Sequence, residues 1–234
     1  MREVSQRSEV ATSLSKLGAH LTSRPHSANM KSYSCFNILT SSWDHVSSAF
    51  WQRYPNPYSK HVLSEDVLER EVTTDCKLRT RRLLSKTSCL PRWAERFFPG
   101  GSLRPAYIVE DSVVDPHRQT LVTHTWNVNH ARLMVVEEKC EYKVHPDNCA
   151  WTLVHRQAWI SSNIFGFSRA IQEFGLARFK SNVTKTVKGL EYVLSSLHGE
   201  QPTRSLKSTA MEATERARKR AKDIASKAKP QKFV

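Results

Sequence analysis

From His61 onward the apolar residues recur at every second position, and this period of two, broken by short turn-prone stretches, most restricts what the chain can become. Met134, Val136, Cys140, Tyr142 and Val144 alternate with Val135, Glu137, Lys139, Glu141 and Lys143, as a strand with one dry and one wet face requires. Similar segments lie near 61–71, 77–87, 106–114, 120–129 and 151–161. TTDCK, DPHRQ and HPDNC between them are too short to hold a crossover helix, so consecutive strands are expected to pair antiparallel. The pattern describes a meander and excludes a βαβ fold.

The period changes on both sides of this region. Ser41 or Ser42 can cap a helix whose apolar residues Trp43, Val46 and Phe50 recur at helical spacing, and Asp44 stands where a capping-box acid follows Ser41. That helix is predicted to run to Tyr54, because Pro55 and Pro57 of the YPNP corner forbid its continuation. From about Ser162 the helical period returns, and Phe179, Val183, Val187, Leu190, Leu194 and Leu197 fall on one stripe. The expected fold class is therefore α+β. A curved antiparallel sheet of about six to seven strands grips a long C-terminal helix, with a short N-terminal helix and a lid loop. The space between such a sheet and its helix is a natural ligand site.

Charge divides the chain into three parts. Residues 1–29 are Ser-rich with only two acids, and read as an extension, disordered or a possible mitochondrial presequence. Residues 30–200 form the domain. Residues 201–234 are a basic Ala/Lys-rich tail with Ala213, Ala217, Ala221 and Ala225 on a four-residue step, which describes a marginal, solvated helix. The net charge of +14 calls for an anionic partner, and nucleic acid or an anionic membrane surface would each satisfy it. No apolar run is long enough to span a bilayer, so any membrane contact is expected to be peripheral.

Cys35, Cys76, Cys89, Cys140 and Cys149 are scattered and form no C-x-x-C pair, so half-buried thiols are expected, with no metal or other cofactor. His145 between Cys140 and Cys149 does not change that reading. His124, His130, Glu137 and Glu138 offer an acid–base pair only weakly; His130 with Glu138 is the combination that can share a strand face. No Gly-rich phosphate loop, H-E-x-x-H or G-x-S-x-G occurs, and no catalytic residue is assigned.

Two constellations remain. Arg178, Asn182 and Lys185 lie within an arc of roughly 60° beside the apolar stripe of the last helix. Arg53 emerges where the first helix breaks, and its fork of donors suits a phosphate. In CLPRWAERFFPGG (89–101), Trp93, Phe97 and Phe98 join Arg92 and Arg96 on a short segment bracketed by Pro and Gly, a composition that suits a lid dipping into a membrane interface.

AFWQRYPNPYSKHVL (49–63), RRLLSKT (81–87), PRWAERFFPG (91–100), EDSVVDP (110–116), NHARLMVVEE (129–138) and EFGLARFKSNVTKT (173–186) closely resemble the PRELI domain family of mitochondrial intermembrane-space lipid-transfer proteins. The resemblance spans roughly residues 30–200. It implies a non-enzymatic carrier that moves phosphatidic acid between the mitochondrial outer and inner membranes and supports cardiolipin synthesis. It also implies a heterodimer with a small helical twin C-x9-C protein, peripheral contact with anionic membranes and no nucleic-acid partner. The positions matching Arg53, His61, Lys86, Arg178, Asn182 and Lys185 would surround the lipid head group. One lysine that the family often has shortly after Lys86 is here Cys89, so one phosphate contact is missing or supplied elsewhere. Arg53→Glu is expected to cripple cargo extraction without unfolding the domain. The alternatives are a phosphatidylserine carrier of the same fold, and a nucleic-acid or signalling adaptor acting through the tail.

Overall fold

Seven strands form one open antiparallel sheet, described by a computed structural model over residues 30–87 and 105–199. In chain order they are β1 (Met30–Leu39), β2 (Val62–Val72), β3 (Leu78–Lys86), β4 (Ala106–Asp115), β5 (Thr120–Asn127), β6 (Val135–His145) and β7 (Asn148–Ser161). Helix α1 (Trp43–Trp51) follows β1 and helix α2 (Ser168–His198) follows β7. The spatial order β1-β7-β6-β5-β4-β3-β2 is the expected meander, extended by β1 pairing along β7.

β1 is absent from the six segments picked out by alternation. Tyr33, Cys35, Asn37 and Leu39 point toward the core side, yet the opposite face carries Phe36 and Ile38, which stay exposed, so the apolar–polar contrast fails there. Phe36 stacks on His155 of β7, with ring centroids 4.3 Å apart, which covers part of that exposed face.

The concave face carries two apolar clusters. One joins Leu39, Leu121, Tyr142 and Val154 of the sheet to Trp43, Val46 and Phe50 of α1 and to Leu190, Val193 and Leu194 of α2. The other sets Ala158 and Ile160 against Phe179 and Val183. Between them lies a polar band that includes Arg82, Glu110, Glu138 and Arg156.

Both helices are shorter than the sequence predicts. Ser42, not Ser41, caps α1 by accepting a hydrogen bond from the His45 amide, so Asp44 is not in a capping box, and the helix stops at Trp51 instead of Tyr54. It stops early because Arg53 is drawn into the interior. α2 begins at Ser168 rather than Ser162, since residues 162–167 form a turn with Gly166 at φ +77°. Leu197, placed on the buried stripe by periodicity, is exposed, because the last turn of α2 runs beyond the cluster that buries Leu190 and Leu194.

No disulfide joins the described cysteines. Cys140 is buried, which pushes its thiol up to about 11; Cys76 and Cys149, expected half-buried, are exposed. Among the described residues no group of His, Cys, Asp and Glu is arranged to hold a metal ion, and no helix is long and apolar enough to cross a membrane.

Candidate functional site: a cavity between sheet and helix

A cavity of about 210 Å3 lies where α2 crosses the sheet. Ile108, Met134, Val136, Phe174, Phe179 and Val183 give it apolar walls, and Gly175 lets the helix backbone approach Met134 and Ile160. Among the described residues the opening is at the end of the sheet where β3 and β7 finish and β4 and β6 begin. Thr87 and Ala106, on either side of residues 88–104, both line it.

Of the six head-group candidates, His61, Lys86, Arg178 and Asn182 line this cavity. Their convergence has a local cause at each position. His61 follows the YPNP corner and its carbonyl accepts from the Thr87 amide at 2.8 Å, tying the start of β2 to the end of β3. Val62 pairs with Lys86 in the adjoining register, which sets the lysine beside the imidazole. Arg178 and Asn182 are one helical turn apart on α2, and Arg178 Nη2 donates to the Thr87 carbonyl at 3.4 Å. Lys185 is exposed and does not line the cavity, but it acts on His61 through space.

The electrostatic character of this wall is recorded by His61. Partial burial, then the positive charges of Lys86, Lys185 and Arg178, lower its pKa to about 4, so the ring is neutral near pH 7. Among the described residues neither Lys86 nor Lys185 has a carboxylate within ion-pair distance. The wall is therefore cationic and under-compensated.

Arg53 is elsewhere. Its guanidinium is buried and bonded to Glu110, donates to the Phe50 carbonyl at 3.4 Å, and lies 4.0 Å from the Phe50 ring centroid. Arg82 holds the other Glu110 oxygen, reaches Glu65 at 2.7 Å, and faces the same Phe50 ring at 4.7 Å. Burial alone would raise the Glu110 carboxyl, but Arg53 and Arg82 hold it below the ordinary carboxylate range. Arg53 is thus a strut joining the YPNP corner to β4, separate from the other candidates. An Arg53→Glu chain would set two carboxylates together in the interior, so this substitution is not expected to spare the fold.

A second ion pair, buried Arg156 with part-buried Glu138, lies in the cavity itself, and Arg156 Nε has no partner among the described residues. Sequence reading matched Glu138 with His130. Both residues line the cavity, but the carboxylate is taken by Arg156 of the neighbouring strand. The signal was present in the alternation: Glu138 occupies an inward position between Val136 and Cys140, where a lone charge demands a partner. Glu137 and His124 take outward positions and play no part. The lid candidates Arg92, Trp93, Arg96, Phe97 and Phe98 lie outside the described residues, as do Cys89, the extension and the tail.

Comparison with known proteins completes the picture. The PRELI-like family matches residues 44–200. PRELI domain-containing protein 1, mitochondrial, of Bos taurus is 64% identical over 182 residues, covering 78% of this chain and 83% of that protein. The Homo sapiens protein of the same name is 63% identical over 182 residues, with the same shares. Protein UPS1, mitochondrial, of Saccharomyces cerevisiae is 35% identical over 161 residues, covering 69% of this chain and 91% of that protein. A match over this much of the length places the chain in the PRELI-like family.

Proposed function

We propose that this protein is a non-enzymatic carrier that moves phosphatidic acid between the outer and inner mitochondrial membranes, working in the intermembrane space and supporting cardiolipin synthesis. One observation carries the reading: an apolar-walled cavity has a wall on which Lys86, with Lys185 behind it, has no carboxylate within ion-pair distance among the described residues, and partial burial with the charges of Lys86, Lys185 and Arg178 keeps His61 neutral. Acyl chains favour such a space at roughly 25 cal/mol per Å2 of apolar area removed from water. A phosphomonoester supplies the charge that the wall lacks, with hydrogen bonds from Asn182 and the two cations. Relatives named as mitochondrial support the location.

Phosphatidylserine is the rival cargo. Its ammonium would seek a carboxylate, and the cavity's Glu138 is already held by Arg156, which favours the head group without an amine. The same reading includes a heterodimer with a small helical twin C-x9-C protein, and membrane contact through Arg92, Trp93, Arg96, Phe97 and Phe98.

The test is lipid transfer between vesicles holding phosphatidic acid and phosphatidylserine in equal amount. Lys86→Glu and Arg178→Glu should each slow phosphatidic acid transfer about tenfold or more, the scale of one charged hydrogen bond lost and one repulsion gained. Their melting temperatures should stay near that of the parent, since both residues are part-exposed. Equal transfer of both lipids by the parent chain would refute the cargo assignment. Deleting residues 202–234 should leave transfer intact, whereas an adaptor working through the tail would lose its activity.

A further inference from the structure

The turn between β7 and α2, residues 162–167, presents an aromatic pair that the cavity does not use. Phe165 is 99% exposed and Phe167 40% exposed, while Ile164 between the strand and the tip is half-buried. The turn is held in shape: the Phe167 amide donates to the Ile164 carbonyl at 3.1 Å, and the Ser168 hydroxyl donates to the same oxygen at 2.8 Å. Gly166 supplies the left-handed step that carries Phe165 outward, and among the described residues nothing lies within 4 Å of where its Cβ would be.

Its position matters as much as its exposure. β7 ends at Ser161 opposite Val135, next to Met134, and α2, beginning at Ser168, places Phe174 and Gly175 in its second turn. Met134, Phe174 and Gly175 all line the cavity, so the turn stands at the open end. The charge there is basic. Arg132, on the neighbouring β5–β6 loop, and Arg169, in the first turn of α2, are exposed, and α2 has no acid in that turn. Glu173, the first acidic residue of the helix, is engaged by Lys31.

We propose that the turn bearing Phe165 and Phe167 is a membrane-contact element. Phe165 enters the interfacial region of an anionic phospholipid bilayer while Arg132 and Arg169 meet its head groups, holding the cavity mouth against the surface. An exposed aromatic on a fixed turn among cations matches what an interface offers, apolar depth below and negative charge above. The inference rests on the lipid-carrier reading but concerns docking, not cargo recognition, and it is independent of residues 88–104.

The experiment uses the full 234-residue chain. Two measurements are made: sedimentation with phosphatidylcholine vesicles containing phosphatidic acid as a minor component, and binding of monomeric dihexanoyl phosphatidic acid. Phe165→Ser should weaken vesicle association about tenfold, the scale of one aromatic side chain left in water, and leave short-chain binding unchanged. Phe165→Trp should gain emission that brominated phospholipid quenches, above the quenching of the parent chain. Unchanged vesicle association of Phe165→Ser would overturn the proposal. So would loss of short-chain binding, which would make the turn part of the cavity, or loss of self-association or of a co-purifying small protein with vesicle association intact. If the parent chain fails to bind the short-chain lipid, the carrier reading falls, while the vesicle arm still decides the turn.

Discussion

Arg53 and His61 are eight positions apart on one corner, yet one is neutralised and the other is surrounded by its own sign of charge. Arg53 shares Glu110 with Arg82, so removing it leaves a buried carboxylate half-compensated. Arg53→Met should lower stability by about 3 kcal/mol, the lower part of the range for breaking a buried pair, because Arg82 remains. Denaturant unfolding measures this, and Arg53→Met combined with Glu110→Gln should recover part of the loss. His61 behaves in the opposite sense. Its folded pKa near 4 is below the ordinary 6.5, so as pH falls from about 6.5 to about 4 the unfolded chain takes up a proton that the folded chain refuses. Stability should fall across that window and level off below it. A bound phosphate should cancel the surrounding positive charge and raise the His61 value, an effect that NMR titration of the imidazole with and without short-chain phosphatidic acid would report. Part of this was legible beforehand: helical spacing grouped Arg178 with Asn182, and both face the cavity. Arg53 was not, because its partner is 57 positions away in the chain and no local pattern announces a pairing of that range.

At the level of elements, α2 owes its position to two glycines that face different neighbours. A Cβ at Gly175 would press on Met134, whose thioether end can swing into the cavity. At Gly189 it would meet the Asn56 amide at 2.8 Å. Asn56 cannot yield easily: its Nδ2 donates to the Arg53 carbonyl at 2.6 Å and its Oδ1 accepts from the Tyr58 amide at 2.9 Å. Gly189→Ala should therefore destabilise by about 1–3 kcal/mol, outweighing the ~1 kcal/mol that alanine ordinarily gains inside a helix. Thermal melting of this variant beside Gly175→Ala compares the two sites, and the second should lose less. Six strands were legible from alternation, and the short turns after β2, β4 and β6 forced the pairing of the strands they join. β1 was hidden by its apolar outer side chains, and the true start of α2 by a turn, at Gly166, that carries apolar residues of its own.

For the molecule as a whole, the sheet is a cradle with a polar seam. Arg156, Glu138, Glu110 and Arg82 run across it between the two apolar clusters, each charge matched by its neighbour, so the interior is close to neutral while the cavity wall is not. That contrast was invisible in the net charge of +14, which counts both tails and both kinds of arginine alike. The 31 residues of α2 set a further property. At 1.5 Å per residue the helix is about 46 Å long, leading from the open end of the cradle, near Ser168, to Gly199 at the other end. Met30, where the first strand starts opposite Ser161, is at the open end, so Met30 and Gly199 stand at opposite poles. A label or anchor placed at Gly199 would leave the doorway free, whereas one placed at Met30 would stand beside it.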